Sequence, residues 1–461
     1  MPALLLPEHP AGWPEHDFED LYAIGRAERE ALQLEALRLR FAALRNKVPA
    51  LQKLAEKQKV ERIDTFADAL PIYYDHRVLK NYPMAILENR DFPRLTHWLN
   101  KLTMHNLTKV DLSGLKTIDA WIDRLESYGL VISTSSGTTG KLSFMCRSKD
   151  EMAAWRRSWV QVNHAATGVD PHPVKLPTFS TGYRSGHQLS MKCSGLFAEE
   201  MFGGEDNYYP LYDSHMSCDL MALSGRMQAA ENKGEVEKLG LDPALFEQRR
   251  RLIEQAKRRD IDVREFFDRM MTDFRGRQVR IGGLFADLFK VARAGLDRGV
   301  KCAFAPGSIV TGGGGMKGYK DAPDNWREIV MDFFGVERLA TMYGYSENMG
   351  NAPMCSAGFY HVLPYTIMTL LDRNARELPR EGVQTGRVAT FDLLAETYWG
   401  GFISGDEATI HFDDACDCGW KGPRVENTIR RYSEMEGGDD KITCSGNQKA
   451  YDEFMDFVME Q

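Results

Sequence analysis

The sequence is poor in cysteine, has no long apolar run and carries no excess of positive charge. Eight cysteines in 461 residues are too sparse for a disulfide scaffold, so a cytoplasmic protein is expected. No stretch approaches the roughly 18 apolar residues of a membrane helix. The N-terminal MPALLLPEHP lacks the basic start of a signal peptide. A net charge of −8 offers no basic field to a nucleic-acid backbone. We therefore expect neither nucleic acid nor a membrane as partner.

The pattern of apolar residues predicts an α/β protein. Residues 1–127 are mostly helical in pattern, rich in Ala, Leu, Arg and Glu with apolar residues three and four apart. From residue 128, short apolar runs such as GLVIST, VKLPTFST and QVRIGGL alternate with helical stretches. Such alternation favours mainly parallel sheets flanked by helices. The expected division is a helical region over 1–127, an α/β core over 128–440 and a short helical segment over 441–461.

The stretch SSGTTGK, from Ser135 to Lys141, combines hydroxyl groups, glycines and one lysine directly after an apolar run. Backbone N–H groups and hydroxyls exposed together suit an anion, above all a phosphate. The spacing excludes a Walker A loop, since Ser135 and Leu142 stand where that motif has Gly and Ser or Thr. An ordinary surface turn is the alternative interpretation.

A second glycine-rich loop, GGGGMKG, contains the pattern G-x-G-x-x-G at Gly313, Gly315 and Gly318. This pattern is typical of a dinucleotide site, and it keeps a nicotinamide-dependent oxidoreductase open as a hypothesis. However, Pro323 delays the following helix, so the glycines do not lead directly into it. Consecutive glycines also indicate close approach of a flat ligand or of another backbone segment.

The order of several motifs adds information that no single loop provides. SSGTTGK, GGGGMKG, YGYSE, SGD and DDKI follow one another along the chain. In this order they resemble the adenylate-forming superfamily of acyl- and aryl-CoA ligases, closest to its phenylacetate–CoA ligase and acyl-protein synthetase branches. YGYSE resembles the Tyr-Gly-x-Thr-Glu of that family, and SGDEATI its Thr-Gly-Asp. The resemblance covers about residues 131–446 and implies ATP- and Mg²⁺-dependent activation of a carboxylic acid as an acyl-adenylate.

The resemblance also implies roles for individual residues. Thr138, Lys141, Glu347 and Lys317 are the candidate catalytic residues, with Glu347 expected to hold Mg²⁺ and Lys317 to act as a substitute cation near the phosphates. The remaining nucleotide-binding candidates are expected to contact the phosphates, the adenine or the ribose of ATP. Arg430 is the alternative to Arg431 as the arginine that contacts the ribose. These nucleotide-binding candidates are Ser135, Ser136, Gly137, Thr139, Gly140, Gly313, Gly314, Gly315, Tyr343, Gly344, Ser346, Asp406 and Arg431.

The segment FSTGYRSGHQLSMKCSG lies where the superfamily builds its acid pocket. Gly182, Tyr183, His187 and Leu189 are candidate lining residues, although His187 is equally consistent with a core histidine. Family members continue beyond DDKI into a small lid domain, which we expect to be absent or reduced here. Residues 441–461 would then be a hinge remnant. CoA, a carrier or a protein is the implied acyl acceptor, and adenylation is better supported than transfer to CoA.

Cysteine spacing suggests one further site. Cys355 and His361 lie in CSAGFYH just after YGYSE, and Cys416 and Cys418 lie in CDCGW after SGD. Related phenylacetate–CoA ligase sequences look similar here. Three thiolates and one imidazole would form a closed structural Zn²⁺ site. Free cysteines with a hydrogen-bonded histidine are the alternative.

Two hypotheses from other classes stay open beside the ligase. The chain could be a non-catalytic nucleotide or acyl-adenylate binder, or a nicotinamide-dependent oxidoreductase that uses GGGGMKG. Pyrophosphate exchange separates the ligase from the binder, and titration with NAD and ATP separates both from the oxidoreductase.

Overall fold

The structure, a computed structural model, describes residues 5–135, 141–192, 198–234, 243–314, 316, 322–435 and 445–460. The chain forms two compact units. The first comprises Met1–Ser135, Leu142–Val162 and Tyr343–Gln461, and the second comprises Ser136–Lys141 and Asn163–Met342. Within the described residues, no helix is long and apolar enough to span a membrane.

Helices make up most of the N-terminal part of the first unit, as the sequence pattern predicts. They are α1 Phe18–Ala23, α2 Arg26–Leu44, α3 Pro49–Gln58, α4 Phe66–Ala69, α5 Met84–Glu88, α6 Phe92–Lys101 and α7 Ile118–Glu126, with α8 Lys149–Thr167 and α13 Gln448–Met459 further along the chain.

Helix α2 illustrates how this pattern works and where it is unusual. Its buried positions recur every three or four residues, which places them on one face of the helix. Leu37, Phe41 and Leu44 are the apolar members of this face, but Arg29 and Gln33 belong to it as well. Because both polar side chains are fully buried, they need hydrogen-bond partners from the rest of the unit.

A seven-stranded sheet occupies the C-terminal part of the first unit, in the order β10-β14-β13-β12-β11, with β1 and β15 also paired with β13. Antiparallel pairing dominates, because β11, β12 and β13 follow one another through short connections. A separate antiparallel pair is formed by β2, which ends at Ser135, and β3, which begins at Ser143. The strands are β1 Tyr74–Asp75, β2 Leu130–Ser135, β3 Ser143–Ser148, β9 Ala352–Pro353, β10 Tyr360–His361, β11 Thr366–Leu371, β12 Val383–Asp392, β13 Gly401–His411, β14 Arg424–Val425 and β15 Arg430–Arg431.

The second unit contains the parallel arrangement that the sequence predicts. Its strands pair in the order β5-β4-β6-β7-β8, all in parallel. Helices connect them because parallel neighbours need a crossover. The strands are β4 Thr178–Gly186, β5 Tyr208–Met216, β6 Arg280–Leu284, β7 Ile309–Gly313 and β8 Leu339–Tyr343; the helices are α9 Cys218–Lys233, α10 Pro243–Asp273, α11 Phe285–Asp297 and α12 Trp326–Phe334.

Helices α10, α11 and α12 supply the core of the second unit. Phe267, Leu288 and Phe333 are among its fully buried members. Helices α11 and α12 approach closely at Gly295, where a Cβ would lie 2.1 Å from Cε2 of Phe333. Gly295 is therefore required by packing, not by backbone conformation.

We predict that Gly295→Ala destabilises the second unit even though alanine is the better helix former. Intrinsic propensity favours alanine by about 1 kcal/mol, whereas overpacking a core typically costs about 1–3 kcal/mol. Because the Cβ would lie only 2.1 Å from the Phe333 ring, we expect a cost at the upper end of this range. Urea denaturation should show the net loss. The same substitution in a Phe333→Leu background should cost less, because leucine leaves room for the methyl group.

Candidate functional site

Three of the residues expected at the nucleotide lie together in the first unit. Asp406 lies within β13 and is directly opposite Arg431 of β15. Its Oδ1 accepts a hydrogen bond from Nε of Arg431 at 3.1 Å, and its Oδ2 accepts one from the hydroxyl of Tyr343 at 3.2 Å. Of the two arginine candidates, Arg431 is therefore the one beside Asp406, whereas Arg430 pairs with Glu407.

Burial and charge make this cluster strongly polarised. Asp406 is only 7% exposed, so its carboxylate is held by partners that fix its position. Burial, together with the neighbouring Asp406 carboxylate, raises the pKa of Tyr343 well above its usual value. Tyr343 therefore stays a neutral hydrogen-bond donor, and the pair presents a fixed carboxylate beside an aromatic ring.

The YGYSE motif continues into a turn that is tied down at several points. The backbone N–H of Asn348 donates to the carbonyl of Tyr345 at 3.1 Å, so Ser346 and Glu347 occupy the bend. The Tyr345 hydroxyl is hydrogen-bonded to Thr390 on β12. Gly344 is required here, since a Cβ would lie 1.8 Å from Oδ1 of Asn351. We call residues 343–350 the Glu347 turn.

A buried cluster of polar side chains makes hydrogen bonds to the backbone of the Glu347 turn. Arg147 on β3 donates to the carbonyl of Ser346 at 2.6 Å, and Asp392 at the end of β12 accepts from the N–H of Met349 at 2.7 Å. Glu151 of α8 accepts from three backbone N–H groups and from the Thr397 hydroxyl. Arg147, Glu151 and Asp392 are all fully buried.

One cation faces two carboxyl groups in this cluster. Burial raises the pKa of Asp392 to about 6, with the Arg147 charge and hydrogen bonds from Met349 and Leu394 opposing the rise. Burial alone would lower the pKa of Arg147, but Tyr398 and the two acids raise it overall. The guanidinium therefore keeps its charge inside the unit.

The second unit places its glycine-rich residues at the carboxyl end of a parallel strand. Gly313 is the last residue of β7, and Gly314 follows with a φ of +76°, a conformation that favours glycine. Gly312 is closed on one side by the Phe285 ring, 2.5 Å from where a Cβ would be. Ligands in open α/β sheets bind outside this edge.

Lys141, the last residue of SSGTTGK, is half-buried, and this burial lowers its pKa. Ser135 is the last residue of β2 in the first unit, and its amide donates to the hydroxyl of Ser143 at 3.2 Å. Several nucleotide-site predictions lie outside the described residues: Ser136, Gly137, Thr138, Thr139, Gly140, Gly315 and Lys317.

Two of the acid-pocket candidates, Gly182 and Tyr183, lie in β4 of the second unit, and His187 and Leu189 follow that strand. The Tyr183 ring packs against that of Tyr212, with centroids 4.9 Å apart. His187 is buried, and its Nδ1 lies 3.0 Å from Nζ of Lys192. The N–H of Gly182 donates to the Ser180 hydroxyl.

An ion pair that the sequence did not suggest lies beside these tyrosines. Arg259 of α10 donates to Oδ2 of Asp287 at 2.6 Å and to the carbonyl of Thr181 at 3.0 Å. Its guanidinium lies 6.0 Å from the centroid of the Tyr212 ring. Arg259 of α10 thus lies close to Tyr212 of β5, whose ring packs against Tyr183 of β4.

The four residues expected to bind a metal converge in the first unit. The ligand atoms of Cys355, His361, Cys416 and Cys418 all lie within 4.8 Å of one another. Nε2 of His361 is 3.4 Å from Sγ of Cys418. A tetrahedral Zn²⁺ with bonds of about 2.3 Å places its ligands about 3.8 Å apart. The donor set and its spacing fit zinc after a small contraction.

Two tight turns bring these ligands together. The N–H of Gly358 donates to the carbonyl of Cys355, and the N–H of Gly419 donates to that of Cys416. The N–H of Trp420 lies 3.4 Å from Sγ of Cys418 and donates to it. Burial, together with the charges of Arg424 and Arg29, lowers the pKa of His361 to about 4. The imidazole is therefore neutral at pH 7.

The N-terminal helices hold the Cys416–Cys418 segment in place. The Tyr22 ring stacks on Trp420 with centroids 4.5 Å apart, and its hydroxyl donates to the carbonyl of His361. Arg29 donates to the carbonyls of Val362 and Lys421. Sequence reasoning missed Arg29, Arg147 and Asp392; the available signal was a charged residue inside an otherwise apolar buried pattern, as in SFMCRS.

One of three comparisons with known proteins found structures that are similar to this chain. No model of a known protein family and no curated protein matches the sequence. Among solved structures, the open conformation of 2-hydroxyisobutyryl-CoA ligase in complex with 2-HIB-AMP and CoA is similar, with a TM-score of 0.52 and 11% identity over 90% of this chain and 72% of the other.

Two further solved structures align over part of the chain. They are the amide bond synthetase McbA from Marinactinospora thermotolerans and an anthranilate CoA ligase in complex with anthranoyl-AMP. Their TM-scores are 0.35 and 0.36, at 14% and 13% identity, over 64% of this chain and 49% and 46% of theirs. The first comparison shows that this chain shares its fold with that CoA ligase, and this is the fold that the motif resemblance implies.

Proposed function

We propose that this protein is an ATP-dependent ligase that activates a small carboxylic acid as its acyl-adenylate. The observation that carries the proposal is the Tyr343–Asp406–Arg431 cluster. Two distant motifs, YGYSE and SGD, meet there as a buried carboxylate oriented by a tyrosine and an arginine. Such a carboxylate is suited to accept hydrogen bonds from a ribose diol, and the Tyr343 ring to pack against adenine.

The chemistry requires positioning and charge stabilisation more than a protein nucleophile. A carboxylate oxygen of the acid attacks the α-phosphorus of ATP, the bond from that phosphorus to the bridging oxygen breaks, and pyrophosphate leaves with the electron pair. Glu347 at its turn is the candidate magnesium ligand, since Mg²⁺ prefers carboxylate oxygens. When bound, Mg²⁺ neutralises charge on the phosphoryl oxygens.

Transfer would complete the reaction. A nucleophile of the acceptor attacks the acyl carbon, and AMP leaves as the acyl–phosphate bond breaks. CoA, a carrier or another protein would supply the nucleophile, giving a thioester, an ester or an amide. Tyr183, Tyr212 and Arg259 in the second unit favour an acid that offers an aromatic or polar group to them.

Glu347→Gln should abolish most adenylation while leaving the fold intact. The amide keeps the shape of the side chain but removes the charge that binds Mg²⁺. Pyrophosphate exchange with a panel of carboxylic acids measures the activity, and thermal unfolding should change by no more than a few degrees. Glu337→Gln, at the amino end of β8, is the matched control and should behave as wild type. Full exchange by Glu347→Gln would rule out the magnesium role.

Asp406→Ala should weaken ATP binding by about 2–4 kcal/mol, since hydrogen bonds to a charged group contribute about 1.5–3 kcal/mol each. Isothermal titration with ATP tests this. Glu407→Ala is the control, because it breaks the Arg430 pair on the same two strands and leaves Asp406 untouched. Unaltered ATP affinity in Asp406→Ala would show that Asp406 serves the fold alone.

The wild-type protein also tests the two other hypotheses. ATP binding without pyrophosphate exchange would favour a non-catalytic nucleotide binder, and binding of NAD in place of ATP would favour the oxidoreductase.

We also propose that Cys355, His361, Cys416 and Cys418 hold one structural Zn²⁺. The convergence of their four ligand atoms supports this. Four protein ligands complete a tetrahedral shell and leave no position for substrate, so the metal would stabilise the fold. It would tie the segment after Glu347 to the segment after β13.

Elemental analysis should find about one zinc per chain in wild-type protein. Cys416→Ser should lose the zinc and unfold at a lower temperature, since the remaining three ligands hold the ion less tightly. Cys302→Ser removes a thiol of the second unit and should keep the zinc content. A metal-free wild-type protein that is as stable as its chelator-treated form would exclude the site.

A further inference from the structure

Arg147 is a buried arginine that the chemistry described above does not use. It lies in β3 with no exposed surface. One guanidinium nitrogen, Nη1, donates to the hydroxyl of Ser133 at 2.5 Å, and the other, Nη2, donates to the carbonyl of Ser346 at 2.6 Å. The fork of one side chain therefore joins two segments that are about 200 residues apart in the sequence.

Both segments lead to residues proposed to act on ATP. Ser133 lies in β2, two residues before Ser135, where the SSGTTGK motif begins. Ser346 precedes Glu347 directly. A single buried guanidinium thus sets the distance between the strand that leads into the phosphate-loop motif and the turn that carries the magnesium candidate.

The far end of the Glu347 turn is fixed independently. Asp392 accepts from the N–H of Met349 at 2.7 Å through Oδ2, and from the N–H of Leu394 at 3.0 Å through Oδ1. Glu347 therefore lies between two backbone anchors, one given by a buried cation and one by a buried anion. Opposite charges at the two anchors stabilise each other inside the unit.

Stability alone does not explain a charge at this position. Taking a guanidinium out of water is costly, and buried ion pairs are often no more stabilising than apolar residues of similar volume. An apolar side chain at position 147 would fill the space between β3 and Tyr398 but could not hold the carbonyl of Ser346. What the arginine provides specifically is a fixed geometry for the turn.

We propose that Arg147 is a positioning residue for adenylation, which holds the Glu347 turn in register with β2 so that the metal and the phosphates meet correctly. This inference rests on the proposed function. Misplacement of a reacting group by about 1 Å costs on the order of 100-fold in rate. Loss of the Ser346 anchor should therefore lower kcat far more than it weakens nucleotide binding, because the ribose is held separately at Asp406.

The test compares Arg147→Met, Arg147→Lys and Arg280→Lys by pyrophosphate exchange at saturating acid, with ATP and Mg²⁺ varied. Arg280 is the matched control: it is also a buried arginine, it donates to Asn163 at 2.6 Å, and it lies at the amino end of β6. AMP binding without metal is measured in parallel. All assays are run well below the unfolding temperature of each variant.

We expect Arg147→Met to lose about 10- to 100-fold in kcat, as removal of a hydrogen bond to a charged group implies. It should need several-fold more Mg²⁺ for half-maximal activity and should bind AMP within about twofold of wild type. Arg147→Lys should recover part of kcat, since an ammonium reaches one acceptor but not both. Arg280→Lys should keep kcat and the Mg²⁺ requirement even where it lowers the unfolding temperature.

Asp392→Asn gives a second route if Arg147→Met does not fold. The amide keeps an oxygen for one backbone N–H group but loses the charge, so the far anchor weakens and the same rise in Mg²⁺ requirement is expected. Folded variants of both residues with unchanged kcat and Mg²⁺ dependence would overturn the inference while leaving the ligase proposal intact. Absence of exchange and of Mg²⁺-dependent ATP binding in wild type would overturn both.

Discussion

The first unit depends on one physical constraint, which is that a buried guanidinium must be surrounded by acceptors. Arg147 and Arg29 have almost no exposed surface, and an unpaired charge in that setting would cost several kcal/mol. The chain meets this requirement with backbone carbonyls and hydroxyls from segments far apart in sequence. Each arginine consequently joins local pieces into one arrangement, and the candidate sites lie beside these junctions.

The two junctions organise different parts of the same unit. Arg147 joins β2 to the Glu347 turn, while Arg29 joins helix α2 to the segments that carry His361 and Cys418. Packing at the second junction is tight, because a Cβ at Gly422 would lie 1.4 Å from Nη1 of Arg29. Gly422 also has a φ of +92°, so its conformation and its lack of a side chain are both required. Helix α2 therefore helps to hold the segments that carry the candidate metal ligands.

The second unit follows a different principle. Its parallel strands end at one edge, and backbone topology alone brings Gly313, Tyr183 and Tyr212 to that edge. Side chains then give this edge its own chemical character. Arg259 and Asp287 form an ion pair beside two tyrosines. Recognition of the acid would depend on these side chains, whereas the fold provides only the position.

The sequence by itself indicated the pattern of helices and strands and suggested the chemistry of the motifs. Apolar periodicity indicated the helical N-terminal part and the βα alternation, because burial of one face depends only on local spacing. The residue types and the order of the motifs SSGTTGK and YGYSE predicted a nucleotide site. The tertiary structure alone decided the rest. Register between β13 and β15 placed Arg431, and not Arg430, beside Asp406. The partners of Arg29, Arg147 and Asp392 come from segments that are distant in the sequence. The hydrogen bond between Arg147 and Ser346 cannot be predicted from the local sequence pattern, because it depends on how the whole unit packs.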